Sequence, residues 1–131
     1  MQIPVAAAYA PAILNGDTVA LSNGYLVAKT ATNTGDSVGV LVGCQYVNSN
    51  GQTVEGQYYP AAASTAANPA YAYVVDDPLA LFQVAVVTSG TTMGTASRAD
   101  VGSNVALVLN AGSTVTGDSA FGVTLTGAGT T

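Results

Sequence analysis

Histidine and tryptophan are absent from this chain, cysteine occurs once, and positive charge is confined to Lys29 and Arg98. Each shortage removes a class of chemistry. With no histidine and a lone Cys44, the usual ligand sets for zinc, haem and copper are missing. One cysteine closes no disulfide within the chain and makes no two-cysteine redox motif. A serine or cysteine nucleophile would have no histidine base. Two basic residues cannot form the clustered patch that binds phosphate backbones, so nucleic acid is not an expected partner. Anionic membrane surfaces are excluded on the same ground, and no apolar run reaches the roughly 18 residues of a membrane span. Phosphate-binding glycine motifs are missing as well: there is neither GxxxxGK[ST] nor a strand-GxGxxG-helix unit. No cofactor and no enzymatic activity are expected.

Charged residues make up only 7% of the 131-residue chain, against about 25% in ordinary globular proteins. Hydrophobic residues reach 49% and the net charge is −5. Such a surface must be built from Ser, Thr, Asn, Gln and Gly, which suits a protein that lives packed against neighbours. The length fits one domain with a sizeable core.

What is present is a β pattern. No window sustains a 3.6-residue apolar period, whereas short β-prone runs recur roughly every 8–12 residues with turn signals between them. Asn23-Gly24 separates residues 18–21 from 25–30, a hairpin signal because both turn positions tolerate positive φ. Residues 37–47 (SVGVLVGCQYV) form a run in which Val38, Val40, Val42 and Cys44 share one face at strand spacing. That valine face is expected in the core, with kinks at Gly39 and Gly43. Asn48–Gly51 is a further turn, 52–59 a half-exposed strand, and 60–68 a surface loop or one weak turn of helix. Residues 71–87 (YAYVVDDPLALFQVAVV) read as two central strands, 71–75 and 79–87, with Asp76-Asp77-Pro78 between them; Pro78 forces a bend. Residues 93–104 read as irregular, 105–109 as a strand, and 114–125 as a strand pair or one broken strand.

The fold expected is all-β, a small β-barrel or β-sandwich with an extended N-terminal arm. The arm is residues 1–12, apolar and interrupted by Pro4 and Pro11. It either adds to its own sheet or lies across a neighbouring subunit. Ala8-Tyr9-Ala10 mimics a leader-cleavage site, but no positive n-region precedes it. Residues 13–131 form a single β domain ending in a Gly/Thr-rich tail at 126–131.

Asp76-Asp77 is the one acidic cluster. Adjacent strand residues point to opposite faces, so a turn role ahead of Pro78 is expected over a shared cation; an interface ion pair is a further option. Tyr46, Tyr58, Tyr59, Tyr71 and Tyr73 crowd the middle of the chain, where they serve as core or as interface anchors.

The runs GVLVGCQY (39–46), QYYP (57–60) and AYVVDDPLALF (72–82) resemble small head proteins of tailed bacteriophages, the capsid decoration or cement proteins of a podovirus-like marine group. The likeness spans about residues 13–109. It implies a small β-barrel or sandwich on the exterior of the virion capsid, made in the host cytoplasm. Its expected partners are the major capsid protein and itself, as a trimer or other homo-oligomer. The candidate contact residues are Ile3, Pro4, Val5, Tyr9 and Pro11 of the arm, with Tyr71, Tyr73, Asp76 and Asp77. The alternatives are a tail or fibre component, or a surface adhesin or carbohydrate-binding β module.

Overall fold

The structure is a computed structural model, and it describes residues 1–30 and 36–125. The expected tail at 126–131, and residues 32–35 of the polar loop that the sequence places at 32–36, lie outside the described residues. Among the described residues, ten strands form two sheets: β1 (Gln2–Pro4), β2 (Thr18–Ser22), β3 (Tyr25–Ala28), β4 (Ser37–Val47), β5 (Thr53–Gly56), β6 (Tyr71–Val75), β7 (Ala85–Ser89), β8 (Thr92–Met93), β9 (Ala106–Val108) and β10 (Gly122–Thr124). The larger sheet has the order β1-β6-β4-β2-β3, with β5 paired to the upper part of β4. The smaller has the order β8-β7-β10-β9, and its β7–β10 pair is parallel. The fold is all-β and sandwich-like. A parallel bridge between Val5 and Leu26 draws the two edges of the larger sheet together, but among the described residues no continuous ladder closes it into a barrel.

The turns follow their sequences. Asn23 (φ 50°) and Gly24 (φ 82°) both adopt left-handed backbone between the paired Ser22 and Tyr25, the geometry of a tight primed hairpin. At the β4–β5 turn, the Asn48 side-chain oxygen accepts from the amides of Asn50 and Gln52, closing the loop locally.

The core lies on one face of the curled larger sheet. Ile3, Val19, Leu26, Leu41, Cys44, Ala72 and Val74 point inward from five strands, and Ile13, Tyr59 and Ala70 cover them from the connecting loops. Each large aliphatic among these contributes about 1.5–3 kcal/mol by leaving water. Tyr9 and Tyr59 pack with ring centroids 6.1 Å apart.

Strand β4 departs from simple alternation. Against β6, Leu41 pairs Val74 and Gly43 pairs Tyr73, leaving Val42 as an extra, bulged residue. Against β2, Gly39 pairs Val19 and Ser37 pairs Ala20, leaving Val38 extra. A bulge shifts the side-chain phase by one, so Leu41 and Cys44, three apart, both reach the core. The expected valine face is therefore corrected: Leu41 and Cys44 are fully buried, Val38 and Val40 are half-buried, and Val42 is 47% exposed on the opposite side.

The N-terminal segment packs on its own sheet: β1 runs antiparallel to β6 with Ile3 opposite Ala72. The 60–68 segment differs from a plain surface loop at Ser64, which is fully buried. Its hydroxyl donates to the Val5 carbonyl at 2.8 Å and accepts from the Ala70 amide at 3.1 Å, stapling loop to arm. The second expected central strand is shorter than 79–87. Only Ala85–Ser89 is strand, and it belongs to the other sheet. Residues 76–84 thus connect the two sheets. Similarly, 113–118 is a turn and only Gly122–Thr124 pairs as β10.

Candidate assembly surface

The residues expected at a contact surface separate into three environments. Ile3 and Val5 are sealed in the core, 4% and 1% exposed, and in this conformation they offer nothing to another chain. Tyr9 is half-buried beside them; its hydroxyl accepts from the Ala28 amide at 2.8 Å, fixing the arm against β3. Pro4 is half-buried opposite Tyr71, and Pro11 is exposed.

Tyr71 and Tyr73 lie on the outward face of β6, because Ala72 and Val74 between and beyond them point inward. The Tyr73 hydroxyl sits 3.5 Å from a Glu55 carboxylate oxygen. Desolvation first, and then the nearby Glu55 charge, raise its pKa above the ordinary tyrosine value.

Asp76 and Asp77 are exposed at the corner. An Asp77 carboxylate oxygen accepts from the Leu79 amide at 2.8 Å, and its carbonyl accepts from the Ala80 amide at 3.0 Å. This is an aspartate turn that reverses the chain around Pro78. Asp76 lies 3.5 Å from the Met1 ammonium. Among the described residues no group of three or more acids and cysteines is placed to hold a metal ion.

The corner delivers the chain into a segment that sequence reading misplaced. Leu79 and Leu81 are 86% and 98% exposed, and Phe82 and Val84 are about half exposed. No backbone hydrogen bond ties Leu81, Phe82 or Gln83 to another described residue. Next to this strap lies a cleft of about 590 Å³ between the two sheets. Val40 and Val42 of β4 form one wall, Leu107 of β9 and Val123 of β10 another, and Phe82 and Val84 a third. Asn15, Asp118 and Ser119 line its polar part. The bulge in β4 makes the cleft apolar, since it turns Val42 out of the core.

Of fourteen exposed large hydrophobic residues among those described, nine fall between Leu79 and Val115. Around the smaller sheet, Val87 and Val123 are the only buried large side chains among the described residues. Four strands of two to five residues have too little area to bury both their faces. The signal was present in 79–87: LALFQVAVV does not alternate, which in a sheet requires cover on both faces, and a chain this size has one core to give. No family model, no curated protein and no solved structure matches the chain.

Proposed function

We propose that this chain is a non-enzymatic structural protein of a virus particle, a decoration or cement protein that binds the outer surface of the major capsid lattice and stabilises it. The observation that carries the reading is the concentration of exposed apolar side chains on the smaller sheet and its strap, in a chain with 7% charged residues. Exposed apolar surface of this extent on a small domain marks a contact site. Low charge favours contacts made by shape and apolar burial over ionic steering. The resemblance at 39–46, 57–60 and 72–82 supplies the particular assembly.

The mechanism would be multivalent. Each copy bridges neighbouring shell subunits through modest interfaces, and lattice expansion must break many of them together. The larger sheet, with its own core, acts as the rigid body; the smaller sheet presents the contact. The test is copy number on purified particles, measured by quantitative mass spectrometry against the shell protein. A fixed ratio amounting to hundreds of copies is expected. Absence from the particle overturns the proposal, and a handful or tens of copies replaces the shell with a tail component.

A further inference from the structure

Resting on that reading of the chain as an assembly component, we infer that the inter-sheet cleft receives an extended apolar segment of the shell protein carrying an arginine or lysine, whose cation pairs with Asp118. Covering the cleft changes the state of its lining. Val42, Leu107 and Phe82 are each about half exposed along its walls, and Asp118 alone among the described lining residues is charged. One Asp118 carboxylate oxygen accepts from the Gln57 amide at 2.7 Å; the other has no partner among the described residues. Whatever docks on the apolar walls therefore strips water from that carboxylate. A purely apolar occupant would leave the charge beside a single neutral donor, an arrangement that opposes docking. An occupant with its own cation offsets the loss and makes a charge-assisted pair where water is excluded. Arginine fits best, since its fork can bond the free oxygen while its stem lies along the apolar walls.

Charge also separates this occupant from a second copy of the chain. The strap is the segment a second copy would insert, and Asp76 and Asp77 stand just before it. Asp76 faces the Met1 ammonium at 3.5 Å, but the Asp77 carboxylate is met by the Leu79 amide alone. A strap entering the cleft would thus carry uncompensated acid toward Asp118. The two cations of the chain do not supply the missing partner. Lys29 is held in the larger sheet, its amide donating to the Thr18 carbonyl at 3.1 Å. Arg98 shares the short turn Arg98–Asp100 with an acid, so a segment that delivers this cation delivers Asp100 as well. The complement to Asp118 is therefore foreign to this chain, and the shell protein is the partner that has to provide it.

The test uses the purified chain and a displayed library of random peptides, so its outcome is separate from whether particles carry the chain. Selection should enrich peptides that place Arg or Lys beside two or more large apolar residues. Amide shift changes on adding the best peptide, made synthetically, should centre on Val42, Leu107 and Val123. Replacing its basic residue by a neutral one of the same length should weaken binding about tenfold, and Asp118→Asn should do the same. The new amide oxygen can still accept from Gln57, so the thermal midpoint of that variant should hold; if it falls, the change made in the peptide still decides. Added salt should weaken binding to the wild type and not to Asp118→Asn. No enrichment, enriched peptides without a basic residue, affinity indifferent to both replacements, or shifts centred on the outward face of β6 would each overturn the inference. Reversible self-association in the ultracentrifuge, lost in Leu81→Asp, would overturn it too, because a second copy would then occupy the cleft.

Discussion

The Gln57 side-chain amide donates to an Asp118 carboxylate oxygen at 2.7 Å, joining positions 61 residues apart. Gln57 follows β5 of the larger sheet, and Asp118 closes the turn that leads into β10 of the smaller one. Beside them the Tyr58 ring lies so close to Gly117 that a Cβ there would sit 2.8 Å from it. Gly117 also takes φ 78°, a conformation glycine adopts without strain. A small sheet with little core of its own is thus anchored to the large one by a polar tie and a ring-on-backbone contact.

Asp118→Ala is therefore expected to loosen the smaller sheet before the larger. The bond is charge-assisted but exposed, so the global cost is about 1 kcal/mol. Native-state hydrogen exchange should show faster exchange at Val108 and Val123, with Leu41 and Val74 unchanged. Equal acceleration in both sheets would mean that they unfold as one unit and that the tie is incidental.

Ser64→Ala should cost more than its size indicates. The hydroxyl serves two buried backbone groups at once, the Val5 carbonyl and the Ala70 amide. Its removal leaves an unsatisfied donor in a site where Ser64 and Ala70 are fully buried. A destabilisation of about 1–3 kcal/mol is expected, read as a lower midpoint in urea with the slope unchanged. Ser64→Thr, which keeps the hydroxyl but adds a methyl group, should recover part of the loss only if the loop yields space.

Local chemistry was legible in the sequence and long-range economy was not. The Asn23-Gly24 hairpin, the Asn48 turn and the corner at Pro78 were readable because each is decided within a few residues. Ser64 was not, because nothing in AAASTAAN marks a serine whose partners are 59 residues upstream and six downstream. The bulges at Val38 and Val42 escaped for a related reason. Alternation gives a face only while the ladder is regular, and the choice between Val42 and Leu41 for the core is made by pairing with β2 and β6. The strap at 79–84 is the same problem at larger scale: an apolar run reads as buried strand unless the area available to bury it is known. Tyr71 and Tyr73 fared better, since the small-large alternation of Tyr-Ala-Tyr-Val places the tyrosines together on one face.

Gly39→Ala probes the bulged strand directly. A Cβ at Gly39 would collide with the Val75 carbonyl and lie 2.7 Å from a Val74 methyl, both held by the β4–β6 ladder. Backbone cannot step aside as a flexible side chain can, so about 2–3 kcal/mol of destabilisation is expected. Gly24→Ala makes the useful contrast, since its Cβ meets nothing within 4 Å and its cost comes from φ 82° alone, about 1 kcal/mol. Thermal melts of the two variants should rank Gly39→Ala clearly lower. The reverse order would show that the strand slides to relieve the contact.

Stability should fall at alkaline pH through Cys44. Burial pushes its thiol from 9.0 up to about 11, and the hydrogen bond from Sγ to the Tyr58 carbonyl at 2.9 Å is made by the protonated form. The folded state therefore holds this proton over a pH range in which the unfolded chain has released it. Stability is full below pH 9 and declines as pH rises toward 11. Tyr59, whose pKa burial also raises, acts in the same direction. Urea titrations at pH 7, 9 and 10.5 should show the decline, and Cys44→Ala should flatten part of it at the cost of a small cavity. A thiol reagent at pH 8 should leave the native protein unlabelled and label it on unfolding, since the thiolate is the reactive form. Rapid labelling of the folded chain would place the thiol at the surface and remove the cause of the pH dependence.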